Sequence, residues 1–145
     1  MSDYTGPGVY QLVNRASDTS LDLYAAGKAD GTRIVGWKHI GGNSQKWQIV
    51  HAGKDEYILV NAHSGTTATA TASKQKLSGT LASPVNKFVR WKIEAAKNGA
   101  YRFRSVALPD HLLDLGNGNK ADDTPVWLWP ESAGAARQEW YIKLV

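Results

Sequence analysis

The chain has no cysteine, a single methionine and only two phenylalanines in 145 residues. Missing thiols exclude a disulfide framework and thiolate metal sites, and a protein of a reducing compartment can do without them. Long apolar runs are also missing. None approaches the roughly 20 residues that a membrane-spanning helix needs, so membrane insertion is not expected. The opening Met1-Ser2-Asp3-Tyr4-Thr5-Gly6-Pro7-Gly8 has neither a basic start nor an apolar stretch, and with the absent thiols it leads to the expectation of an untargeted, cytoplasmic protein. Charge of one dominant sign is lacking as well. The net charge is +4, but Lys and Arg are scattered among Asp and Glu without forming a block, so nucleic acid is not an expected partner.

What the chain does have is six tryptophans, and they fall into a pattern. Leu21-Asp22-Leu23, Lys28-Ala29-Asp30, Thr32 and Trp37 recur 92 residues later as Leu113-Asp114-Leu115, Lys120-Ala121-Asp122, Thr124 and Trp129. Three further Trp close three units, in Gln45-Lys46-Trp47, Val89-Arg90-Trp91 and Gln138-Glu139-Trp140. Tyr10-Gln11-Leu12, Tyr57-Ile58-Leu59 and Tyr101-Arg102-Phe103 open them. The repeats therefore run roughly over residues 8–52, 53–96 and 97–145 of one domain, 1–145.

Within each unit the apolar residues alternate or form short β-branched runs, such as Val9 to Val13 and Tyr57 to Val60, which predicts an all-β chain. Asp30-Gly31, Gly41-Gly42-Asn43 and Asn98-Gly99 supply turn chemistry between them. The alternating Thr66-Thr67-Ala68-Thr69-Ala70-Thr71-Ala72 is composition-biased yet suits a strand of the second repeat.

Three such copies closed by Gln-x-Trp, in register with two Leu-Asp-Leu segments, resemble the ricin B-type lectins over essentially the whole chain, most closely their fungal, mushroom-type members. That resemblance implies a β-trefoil fold and a non-catalytic lectin for terminal galactose or N-acetylgalactosamine glycans. It also implies a homodimer and an agglutinating, defensive role.

The residues support a sugar pocket on their own chemistry. An ionised carboxylate is acceptor-only and can take two sugar hydroxyls at once, and a Trp face suits the apolar C–H face of a pyranose. Galactose fits better than glucose, since its axial 4-hydroxyl leaves one face more uniformly apolar. Strand alternation turns Leu21 and Leu23 inward and Asp22 outward. The expected primary site is Asp22, Trp37, His39, Asn43 and Gln45, with Asn43 taking the role usual for an Asn directly before the Gln, where Ser44 stands. Gln45 either touches sugar or braces the backbone. The expected secondary site is Asp114, Asn117, Trp129 and Gln138, where Arg137 either donates to sugar or obstructs, and Trp127 either widens the site or covers the barrel. Thr69 at the position of Asp22, Pro84 near that of Trp37, and Val89 in place of Gln leave the second repeat without a site.

Catalysis is not expected. His39, His51, His63 and His111 lack metal-ligand spacing, and Asp22 and Asp114 sit in different repeats, too far apart for the roughly 5 to 9.5 Å of a glycosidase pair. No metal or cofactor is called for. The rival reading is a β-trefoil protease inhibitor or other protein-binding trefoil, which needs no repeated Asp and Trp.

Overall fold

The computed structural model describes residues 2–145, and no α-helix occurs among them. The first repeat holds β1 (Gly8–Asn14), β2 (Ser20–Leu23), β3 (Thr32–Trp37) and β4 (Trp47–Gly53). The second holds β5 (Glu56–Asn61), β6 (Thr67–Thr69), β7 (Gln75–Lys76), β8 (Ser78–Thr80) and β9 (Trp91–Ala95). The third holds β10 (Tyr101–Ser105), β11 (His111–Leu115), β12 (Thr124–Pro130) and β13 (Trp140–Leu144).

The outer strands of each repeat pair around a ring, β1 with β4, β4 with β5, β5 with β9, β9 with β10, β10 with β13 and β13 with β1. That closed six-stranded barrel has no free edge. The inner strands form three hairpins, β2–β3, β6–β8 and β11–β12, which join through β3–β8, β12–β7 and β12–β3 to cap one end. This is a β-trefoil. Asn98 and Gly99 both take positive φ, 64° and 75°, in the tight β9–β10 turn, as their turn chemistry requires.

The core repeats threefold because the side-chain pattern does. Trp47, Trp91 and Trp140 are buried together with Leu12, Leu59 and Phe103, with Leu21, Ala68 and Leu113, and with Ile34, Leu77 and Val126. Each large Trp also places its indole N–H, donating to the carbonyl of Leu21 (2.9 Å), Ala68 (3.2 Å) and Leu113 (3.1 Å). Those carbonyls immediately precede Asp22, Thr69 and Asp114. The closing Trp of every repeat therefore fills the core and pins the strand that carries the acid or its substitute.

The alternating Thr-Ala segment forms a strand only over Thr67–Thr69, with all three residues buried. Its hydroxyls are satisfied locally, Thr69 Oγ1 meeting Thr80 Oγ1 at 2.8 Å, so polar side chains stay inside without an orphaned group. Beyond Ala70 the chain turns, Thr71 donating through its backbone N–H to the Gln75 side chain.

Candidate functional site

Strand register fixes which residues correspond. Asp22 faces Val35, Thr69 faces Ser78 and Asp114 faces Trp127 across their hairpins. Two residues back, Ser20 faces Trp37, Thr67 faces Thr80 and Leu112 faces Trp129. The counterpart of Trp37 in the second repeat is thus Thr80, not Pro84, because that repeat's hairpin is shorter and sequence counting slips across it. The second repeat has Thr in place of both acid and aromatic face.

In the first repeat the carboxylate lies at the floor of a cleft of about 360 Å³ lined by Asp22, Tyr24, Ala25, Ala26, Trp37, Ile40 and Ser44. In the third, a cleft of about 390 Å³ is lined by Asp114, Gly116, Asn117, Trp127, Trp129 and Arg137. Both volumes fall in the range of small-molecule sites, about 300–1,000 Å³.

Each acid is gripped from behind by the Gln of the Gln-x-Trp motif. Gln45 Nε2 donates to Asp22 Oδ2 (2.9 Å) and to the Lys38 carbonyl (2.8 Å), while its Oε1 accepts from the Ile40 N–H (3.0 Å). Gln138 repeats the pattern with Asp114 Oδ2 (2.8 Å), the Pro130 carbonyl (3.0 Å) and the Ser132 N–H (2.8 Å). Both amides are buried and both have spent their two N–H donors. Of the two readings of Gln45, this geometry supports bracing, and Gln138, expected at the sugar, is held in the same way. Their geometry makes them positioning residues that fix one carboxylate oxygen and tie down the loop ahead of them.

The first-repeat expectations divide further. Asp22 and Trp37 do meet in the cleft. His39 instead lines a second recess of about 170 Å³ with Gln11, Gly41, Gly42, Gln45, Lys46 and Val145. Asn43 does not line the cleft either. It starts a single 3-10 turn, Asn43–Gln45, in which its carbonyl accepts from the Lys46 N–H, and that turn presents Ser44 to the cleft. In the third repeat Asp114, Asn117 and Trp129 line one cleft, and Arg137 is with them, its Nε 3.2 Å from Asp114 Oδ2.

Sequence reasoning missed Tyr24 and Ile40 and left Trp127 undecided. The two clefts exchange their second aromatic wall. Tyr24 meets Trp37 edge-on in the first, with ring centroids 6.2 Å apart, and Trp127 meets Trp129 edge-on in the third, 5.9 Å apart. Where Tyr24 stands the third repeat has Gly116, and a Cβ there would come within 3.1 Å of Trp127 Nε1. Where Trp127 stands the first repeat has Val35. Tyr with Val and Gly with Trp are complementary pairs, a signal present in the sequence once the hairpin register is known. The backbone beside them keeps one shape, Ala25 and Ala26 at φ 51° and 54° against Asn117 and Gly118 at 53° and 64°. Two alanines in the left-handed region cost about 1–2 kcal/mol each, so the fold imposes this rim conformation even where its residues disfavour it.

Burial raises the pKa of Asp22, opposed by hydrogen bonding from Gln45 and by the Ser44 hydroxyl nearby, with the negative Asp122 adding to the rise. Burial likewise raises Asp114, opposed by Gln138 and then by the positive Arg137. Asp22 Oδ1 is buried and completes no hydrogen bond among the described residues. A buried acceptor without a donor is costly, and a hydroxyl entering the cleft would supply one.

Similarity to known proteins agrees with this geometry. A family model described as a ricin-type β-trefoil lectin domain matches residues 2–83 and 43–129. An agglutinin of Sclerotinia sclerotiorum is 32% identical over 111 residues, covering 71% of this chain and 72% of the relative. The solved Rhizoctonia solani agglutinin superposes with a TM-score of 0.87 at 31% identity, covering 98% of each chain. The Macrolepiota procera ricin B-like lectin, solved in complex with lactose, superposes with a TM-score of 0.81 at 25% identity, covering 99% of this chain and 100% of that one.

Proposed function

This chain belongs to the ricin-type β-trefoil lectin family, a family of non-enzymatic carbohydrate binders, and from that premise we propose that its two clefts bind terminal galactose or N-acetylgalactosamine. The observation that carries the reading is the double occurrence of one arrangement, a buried Asp oriented by a Gln amide beside a half-buried Trp face. The apolar face of galactose stacks on Trp37 or Trp129, and its ring hydroxyls donate to the carboxylate. In both clefts Oδ2 is held by the Gln amide, and in the third it is shared with Arg137, which leaves Asp22 the less encumbered carboxylate. The first cleft is the stronger site for a neutral sugar.

Shallow monosaccharide sites bind with Kd near ~1 mM, so useful affinity on a glycan-bearing surface comes from several clefts engaged at once. Two clefts per chain supply part of this and a homodimer would double it. Agglutination and defence against feeding animals follow as the proposed biological role.

Isothermal titration with lactose and N-acetylgalactosamine on the wild type, Asp22→Ala and Asp114→Ala tests the assignment. Asp22→Ala is expected to lower affinity at least about tenfold. No heat from the wild type with either sugar would sink the galactoside reading. Wild-type binding unchanged in Asp22→Ala would move the principal site to Asp114.

The same titration is expected to depend on pH. The carboxylate is the acceptor, so sugar binding is present above its pKa and lost as pH falls through it. Burial raises that pKa, so lactose affinity should fade at a pH above the ordinary aspartate value of about 3.9. A midpoint at or below that value would show that the titrating acid is not the buried one.

A further inference from the structure

The threefold cap places the hairpin tip of one repeat against the sugar cleft of the next, and the tips differ in charge. At the first cleft the neighbouring tip belongs to the third repeat and is acidic. Asp122 Oδ1 accepts from the Lys38 N–H (2.9 Å), and Asp123 takes both hydrogen bonds of the Arg33 guanidinium (2.9 and 3.0 Å). At the third cleft the neighbouring tip belongs to the second repeat, which has no cleft of its own, and it is basic. Lys74 and Asp123 occupy the same station, both with positive φ, 60° and 66°, one residue before Gln75 and Thr124, whose partners across the cap are Leu128 and Gly36.

The basic tip is held in place by more than charge. The Lys74 N–H donates to the Leu128 carbonyl (2.8 Å), Gln75 and Lys76 pair with Leu128 and Trp127, and Ser73 Oγ lies 2.6 Å from His111 Nε2. The ammonium groups then fall over the walls of the third cleft, Lys74 Nζ 5.3 Å from the Trp129 ring centroid and Lys76 Nζ 5.4 Å from that of Trp127. Arg137 adds a third cation, which lines the cleft itself. Among the described residues Asp114 meets Arg137 at 3.2 Å, Asp123 shares a recess with Lys76, and Glu131 is engaged by Arg104 at 2.9 Å.

We propose that the third cleft takes a galactoside bearing an anionic substituent, a sulfate or a carboxylate, whose ring stacks on Trp129 while Lys74 and Arg137 hold the negative group. The first cleft, where Asp123 neutralises the Arg33 guanidinium stacked on Tyr24 and Asp122 adds a further negative charge, takes the neutral sugar. The inference rests on the lectin reading above and adds a division of labour between the two clefts. Arg137 lines the cleft with Trp129, and Lys74 Nζ lies 5.3 Å from the centroid of that ring, so an anionic substituent on a sugar stacked there has cations to meet. Ion pairing at an exposed rim is screened by salt, which gives the anionic preference a signature that stacking alone lacks.

The test is titration of Asp22→Ala, which disables the first cleft, with lactose, a sulfated lactose and a sialylated lactose, each at low and high salt. The expected result is about tenfold tighter binding of an anionic sugar than of lactose at low salt, shrinking at high salt. Lys74→Asn should reduce that preference several-fold while keeping a residue that tolerates positive φ, and Arg137→Gln should do the same. Preference for the sulfated sugar alone identifies sulfate as the ligand group, and preference for the sialylated one alone identifies carboxylate. Equal affinity for all three at both salt levels would overturn the inference and leave the lectin reading standing. Failure of the wild type to bind any of them would remove both.

Discussion

Trp47→Ala is expected to destabilise the protein by about 3–5 kcal/mol, a large part of the 5–15 kcal/mol that holds an ordinary domain. Trp47 is fully buried in the central cluster, and the substitution leaves a cavity that the closed barrel has little freedom to collapse. A second loss accompanies the first. The Leu21 carbonyl forfeits the indole N–H that pins it at 2.9 Å, and a buried acceptor left unpaired costs about 1–3 kcal/mol. Trp47→Phe separates the two effects, since it keeps most of the volume and removes only the donor. It should cost about 1–3 kcal/mol and loosen the strand on which Asp22 sits, weakening lactose binding without unfolding the chain. Trp37→Ala is the contrasting substitution in the same repeat. Its ring is half-buried on the cleft wall, so its removal should act mainly on binding. Urea denaturation, read for midpoint and slope, checks all three. Equal losses of stability from Trp37→Ala and Trp47→Ala would contradict the separation of stacking face from core.

That separation was legible in the sequence because it follows from spacing. Trp47, Trp91 and Trp140 each open the last strand of a repeat that a Tyr begins, and the fold uses them alike. Trp37 and Trp129 occur only where an Asp occurs, and the fold puts them beside it. Counting failed where a hairpin changed length. A fixed offset leads from Trp37 to Pro84, but pairing across the cap leads to Thr80, because backbone hydrogen bonding defines equivalence and residue number does not. Nearness in sequence also misled. His39 and Asn43 flank the site along the chain, yet the turn at Asn43–Gln45 directs Ser44 to the cleft and leaves Asn43 facing out. The contribution of one repeat's hairpin tip to its neighbour's cleft depends on contacts between residues tens of positions apart, as between Lys74 and Trp129. No local pattern encodes that.

Gln45→Val gives the other large effect, and it reproduces in the first repeat what Val89 already is in the second. The amide of Gln45 satisfies Asp22 Oδ2, the Lys38 carbonyl and the Ile40 N–H. Valine leaves all three without it, and at about 1–3 kcal/mol for a buried unpaired group the loss should reach about 3 kcal/mol even after the loop relaxes toward water. The carboxylate suffers most, because burial already raises its pKa and Gln45 is the first of the groups opposing that rise. Lactose affinity should therefore fall sharply, and its acid midpoint should move to higher pH than in the wild type. The second repeat shows which partner valine accepts. Thr69 replaces the acid and bonds to Thr80, so no charge is left to be held. Asp22→Thr combined with Gln45→Val should accordingly recover stability relative to Gln45→Val alone while abolishing sugar binding at that cleft. A double-mutant cycle measured by urea denaturation should return a coupling of about 1–3 kcal/mol between positions 22 and 45. Additive effects would mean that Gln45 stabilises the loop alone, and the role assigned to it in orienting the carboxylate would have to be withdrawn.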